Sequence, residues 1–222
     1  MWNEILSLWS KDNLQEQAWK RSFEMLKITH DMFLEAVRVL REDDSTGVRD
    51  EIRAKDKIVN AYVWDVRKMV LTHMAAQSPN ELPDGMVLIS IVIDIERLGD
   101  YTKNIVDLAV HHARLLDAKK IEKELKNIEK AVKRLYAKTV KGFEVPDVEK
   151  SQKLLDKYSW INRKSDELLM DLVDEKDPDI RPGIAVSLGL YIRWLKRINS
   201  HLQNIISSQV NPFPTIGFRP SK

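Results

Sequence analysis

Residues 86–105 read MVLISIVIDIERLGDYTKNI, and the reading of this stretch decides the fold. Its first eight residues are apolar apart from Ser90, and the β-branched residues crowding Val87 to Ile95 are compatible with a buried strand. The apolar positions, however, run Leu88, Ile91, Ile95, Leu98, Thr102, Ile105, Ala109, His112, in steps of three and four. That spacing is one face of a helix and predicts a helix from about Met86 to Leu116. Two acids one turn apart, Glu96 and Asp100, end the apolar run with Gly99 between them. Glycine in a helix interior costs about 1 kcal/mol relative to alanine, so both the acids and the glycine need a reason.

Working outward, the same pattern recurs. Trp19, Phe23, Leu26, His30, Phe33, Val37 and Leu40 form a seam on a helix expected from about Asn13 to Arg41. Ile52, Asp56, Val59, Val63, Val66, Val70 and His73 form another, from about Val48 to Gln77. The histidines on these seams, His30, His73 and His112, suit hydrogen-bonded core positions better than ligand positions. Further along, KKIEKELKNIEKAVKRLYAKTV, a fifth helix from Asp147 to about Val173, and a sixth from Ile184 to about Ser208 follow. Prolines fall between these segments or in the tail. The expected class is all-α, six long antiparallel helices with short connections.

The chain also repeats. IERLGDYTKNI at 95–105 recurs as LKRINSHLQNI at 195–205, with Arg97/Arg197, Asn104/Asn204 and Ile105/Ile205 identical. Pro79 and Pro83 recur as Pro178 and Pro182. We therefore expect two tandem three-helix units, 1–117 and 118–208, the second degenerate, followed by an irregular proline-rich tail, 209–222.

Composition narrows the functional classes. Of 222 residues 43% are apolar, enough for a sizeable core, and a net charge of +2 with no basic block gives no push toward nucleic acid. The absence of cysteine excludes disulfides, thiolate metal sites and cysteine nucleophiles, and fits a reducing cytoplasm. No apolar run approaches the roughly 18 residues of a membrane span, and the first residues lack a signal-peptide pattern. There is no glycine-rich phosphate loop, no H-E-x-x-H, no Glu-x-x-His pair and no nucleophile elbow. An enzyme is therefore not expected.

The acids are the chemistry that remains. Asp56 replaces an apolar residue on its seam, with Asn60 one turn later. Helices two and three share a short connection, so Asp56, Asn60, Glu96 and Asp100 can converge between them. A buried carboxylate needs compensation by an Arg or Lys, a proton or a metal cation. Oxygen-only ligands suit hard cations. The bland alternative is a solvated helix face.

These residues resemble a family. IDIERLGDYTKNI is similar to the helix signature of the PhoU family of phosphate-uptake regulators, E-R-[IL]-G-D followed by N-I. DKIVN at 56–60 resembles the partner motif on the preceding helix. The double three-helix repeat is also the family's architecture, and the resemblance covers nearly the whole chain. It implies a carboxylate metal site at Asp56, Asn60, Glu96 and Asp100, the ion being iron, manganese, magnesium or zinc. It further implies a regulator of phosphate transport or phosphate-starvation signalling that contacts a phosphate ABC transporter and a sensor kinase. A cytoplasmic protein, peripheral to the membrane through a partner and compatible with a homodimer, is the corresponding expectation.

The chain departs from the family pattern in places. Val63 stands where a further glutamate is usual, and the second signature has decayed to Lys196, Asn199 and Ser200. Asp156 and Trp160 are the expected second-unit counterparts of Asp56 and Asn60. Since lysine and tryptophan hold no cation, the metal expectation is confined to the first unit, with Lys196 as a fixed positive charge in the second. A metal-free helical adaptor, its acids neutralised by nearby Arg or Lys, is the alternative. Trp2, Ile5, Leu6 and Trp9 at one end, and Phe213, Ile216 and Phe218 at the other, are read as core caps or docking residues.

Overall fold

The computed structural model describes residues 11–42, 47–76, 82–112 and 115–218. Trp2, Ile5, Leu6 and Trp9 lie outside the described residues. Helices α1 (Lys11–Arg41), α2 (Val48–Ala76) and α3 (Leu82–His111) come first. A 3-10 turn at Lys119–Ile121 leads into α4 (Glu122–Glu144), followed by α5 (Val148–Lys157), α6 (Trp160–Val173) and α7 (Pro182–Ser207). The described residues contain no strand. The β-branched run of α3 is helical because its apolar period is that of a helix, and Leu88, Ile91, Ile95, Leu98 and Ile105 are all buried.

Helices α1, α2 and α3 pack on one another, α7 packs on α4, α5 and α6, and the two groups meet along α3–α7 and α1–α4. Their apolar faces form a continuous core. Trp19 stacks on Phe143 at 4.1 Å between ring centroids, and Phe23 on the same ring at 6.2 Å, so the seam of α1 reaches α4. The other end of α1 is tied by Arg41, whose side chain is 6% exposed. It donates to Glu122 at 2.6 Å, to Glu129 at 2.8 Å and to the Leu116 carbonyl. Glu129 also accepts the Tyr191 hydroxyl at 3.0 Å. Four hydrogen-bonded groups thus satisfy a buried ion pair that would be costly alone.

One expectation is corrected. The fifth helix is broken into α5 and α6 at Tyr158 and Ser159. Near the break, backbone carbonyls bond side chains: Ser159 Oγ donates to the Asp156 carbonyl at 2.9 Å, and Gln203 Nε2 of α7 to that of Tyr158 at 3.3 Å. Such bonds compete with the helical ladder. The tail, although irregular, is fastened. Asn211 Nδ2 donates to the Thr215 and Phe218 carbonyls, and the Gly217 amide to Ser207 Oγ, each at 2.8 Å. Gly217 has φ +85°, a conformation that favours glycine, and a Cβ there would stand 2.9 Å from Asn204 Oδ1, which would have to shift. Phe213 and Ile216 are half-buried while Phe218 is 69% exposed.

Candidate carboxylate site between α2 and α3

Asp56 is 7% exposed, an acid in the apolar seam of α2. Its Oδ2 accepts from Asn60 Nδ2 at 3.2 Å and from Lys103 Nζ of α3 at 2.8 Å. The same ammonium stands 2.8 Å from Asp100 Oδ1. Asp100 Oδ2 accepts from Arg97 Nη1 at 3.0 Å, and Arg97 Nε lies 3.5 Å from Glu96 Oε2. The structure thus gathers Asp56, Asn60 and Asp100 around Lys103, with Glu96 at the edge beside Asp100. Asn104, one turn after Asp100 on α3, is exposed.

Two cations, Lys103 and Arg97, offset most of the charge of Asp56, Glu96 and Asp100 within the protein. Burial is the largest single influence on Lys103 and acts against its charge, but its bonds to Asp100 and Asp56 outweigh it and hold the ammonium above the ordinary lysine range. Burial pushes the Glu96 carboxyl up, and the neighbouring Asp100 adds to this against Arg97 and Lys103. Gly99 faces the same spot: a Cβ there would lie 3.4 Å from Thr29 Cγ2 of α1 and 3.6 Å from Asp56 Oδ1. Those are ordinary contacts, so the glycine leaves open space beside Asp56 and is not demanded by a clash.

As placed, these residues do not form a cation cage. Lys103 occupies the position between Asp56 and Asp100, and among the described residues no group of three or more His, Cys, Asp or Glu converges to hold a metal ion. One feature points the other way, since Asp56 Oδ1 is buried without a hydrogen-bond partner in the structure. Lys103 was legible in the sequence: it is three residues after Asp100, the spacing of neighbours on a helix.

The second unit has a corresponding face, but not with the expected partners. Asp156 lies on α5, ahead of the break, and Trp160 opens α6. Asn162 and Asp166 take their place. Asn199 Nδ2 donates to Asn162 Oδ1 at 2.9 Å, Asn162 Nδ2 to Ser200 Oγ at 3.2 Å, and Lys196 Nζ to both Asp166 oxygens at 2.5 and 2.6 Å. Asn162 stands 34 residues before Lys196 whereas Asp56 stands 40 before Glu96, so a match at a constant spacing of one hundred residues fails on this helix. The seam histidines are elsewhere: His73 is buried, and His30 lies against the Tyr136 ring at 4.9 Å, burial lowering its basicity.

Comparisons with known proteins agree with this geometry. Residues 23–109 match the family model described as the PhoU domain. A protein of Methanocaldococcus jannaschii, itself uncharacterized, is 24% identical over 191 residues, which are 84% of this chain and 62% of the relative, so the chain spans less than two thirds of that protein. The crystal structure of PhoU from Pseudomonas aeruginosa superposes with a TM-score of 0.79 at 19% identity, over 89% of this chain and 96% of that one. The phosphate transport system regulatory protein PhoU from Streptococcus pneumoniae gives 0.78 at 16% identity, over 90% and 95%. No helix among the described residues is long and apolar enough to cross a membrane. Residues 23–109 thus match the PhoU domain, and the fold of the chain is that of the PhoU structures over about nine tenths of its length.

Proposed function

We propose that this protein is a PhoU-like regulator, not an enzyme, acting by protein–protein contact in phosphate transport or phosphate-starvation signalling. The observation that carries the reading is the PhoU fold over about nine tenths of the chain, together with the signature residues Glu96 to Asp100 on the face where α2 meets α3. Its partners on this reading are a phosphate ABC transporter and a sensor kinase, met at the cytoplasmic side of the membrane. A contact role also accords with the outer face of α2, where Ile58, Trp64 and Leu71 are 44%, 79% and 67% exposed. Deleting the gene in its host and following phosphate uptake tests the role: uptake should escape repression at high phosphate, and unchanged uptake would remove the phosphate assignment.

At the carboxylate site Lys103 and Arg97 supply the positive charge in the absence of metal. A hard cation held by Asp56, Asn60, Glu96 and Asp100 is the second reading, favoured by the unpartnered Asp56 Oδ1. It requires the Lys103 ammonium to move aside, and a bound ion would then fix the acids electrostatically. Elemental analysis of protein purified without chelator separates the two. Metal in the wild type that is lost in a Glu96→Ala, Asp100→Ala variant supports the ion. Metal absent from the wild type leaves the lysine as the resident cation.

A further inference from the structure

A second charged feature lies far along the chain from this site. Between residues 130 and 157 there are eight Lys or Arg against four Asp or Glu, an excess larger than the net charge of the whole chain, +2. They are too dispersed to read as a basic block, but the turn between α4 and α5 folds them together. A groove of about 600 Å³ runs between the end of α4 and α5. Gly142, Val145 and Leu154 line it with apolar surface, and Lys138, Lys141, Lys150, Lys153 and Lys157 also line it.

The lysines are not equivalent. Lys150 lies 2.8 Å from Asp147, and Lys153 lies 2.5 Å from Glu149. Lys138, Lys141 and Lys157 are exposed and make no ion pair among the described residues. A lysine in the last turn of a helix is favoured by the helix dipole, which accounts for Lys141 and Lys157 singly. It does not account for three unbalanced ammonium groups meeting from two helices over apolar surface.

We infer that this groove binds an acidic amphipathic segment of a partner protein, apolar side chains entering over Val145 and Leu154 while carboxylates pair with Lys138, Lys141 and Lys157. A membrane surface fits less well, because the surface is a concave groove, whereas a bilayer is flat. Asp147, which also lines the groove, is paired with Lys150. A helix or extended peptide with apolar anchors and flanking acids satisfies both the shape and the charge. This surface goes beyond the regulatory reading and stands whether or not the regulated process is phosphate uptake.

The probe is a fluorescently labelled leucine–glutamate peptide patterned as an amphipathic helix, followed by anisotropy with the full-length protein. A leucine–lysine peptide of the same pattern and phosphatidylglycerol vesicles are the comparisons. The glutamate peptide should bind, the lysine peptide should not, and added salt should weaken the complex. Reversing Lys138, Lys141 and Lys157 to Glu should weaken binding by about tenfold or more. Reversing the exposed Lys57, Lys68 and Lys123 should not, and matching circular dichroism of the two triple variants checks that both fold. Equal affinity in the two triple variants, no binding of the glutamate peptide, or binding of vesicles alone would each overturn the proposal.

Discussion

The α2–α3 face and the α6–α7 face solve the same problem with the same polarity, an acid on the earlier helix and a lysine on the later one, but with different neighbours. In the first, the central acid is on the earlier helix at Asp56 and the lysine on the later one at Lys103, with Glu96 and Asp100 beside it. In the second, the acid is again on the earlier helix, Asp166, but the later helix has lost both acids and offers Lys196 with the neutral amides and hydroxyl of Asn199, Asn162 and Ser200. The first face keeps a surplus of carboxylate; the second is neutral, with Asn162 and Asp166 lining a surface cavity and Asn199 Oδ1 buried without a hydrogen-bond partner. A signature that decays in sequence has been replaced by hydrogen bonds, and only the face with surplus acid retains a potential for an ion or a cationic partner.

The largest expected break in this comparison is Lys103→Met. It leaves Asp56, 7% exposed, without its cation, and removing one partner of a buried pair costs about 3 kcal/mol. Lys196→Met removes a pair whose acid is 53% exposed, so less than about 1 kcal/mol is expected. Urea midpoints of the two variants measure the difference, and equal losses would show that the faces are energetically alike. The same Lys103→Met protein should take up added manganese if the vacated position can hold an ion. Next in size is Asn199→Ala, which strips Asn162 of its amide partner inside the second face. A loss of about 1–2 kcal/mol is expected, and no loss would mean that the network is not structural.

Gly99→Ala should act in the opposite sense. The added methyl meets only ordinary contacts, so the gain in helix propensity, up to about 1 kcal/mol, should outweigh what it disturbs. A lower melting temperature would show that the space beside Asp56 Oδ1 is needed. The smallest effect concerns pH. Folding raises the Glu96 pKa, through burial first and Asp100 second. The folded state therefore holds the proton more tightly, and Glu96 costs stability once pH rises above its folded pKa. That cost falls away as pH drops through the folded value toward the unfolded one. Glu96→Gln should therefore be more stable than wild type near neutrality, and the advantage should shrink as the solution is acidified toward the ordinary glutamate range. A constant difference between the two melting curves at all pH values would show that Glu96 does not titrate in this window.

Much of this was legible in the chain itself, and the exceptions have specific causes. Seams such as Leu88 to Ile105 fixed helices α1 to α3 to within a few residues, because burial of one face imposes a period of three to four. Asp56, which interrupts the seam of α2, and Asp100, which follows the apolar run of α3, are brought together by the structure. Spacing offers Arg or Lys as their counter-ions but does not single out Lys103 and Arg97, because it does not say which way a long side chain turns. The α5–α6 break was hidden because TyrSer at 158–159 carries no proline or glycine. Part of its cause, Gln203, lies 45 residues away.

Sequence alone was enough to read the chain as helical and to place an acid, Asp56, on the seam of the second helix. Those properties follow from local periodicity, which each helix carries within its own residues. Only the tertiary structure decided which cation meets Asp56, which residues of α6 face Lys196, and that dispersed lysines share one groove between α4 and α5. Each of these depends on the distance between side chains on different helices. That distance is set by core packing and by a turn whose register no single helix encodes.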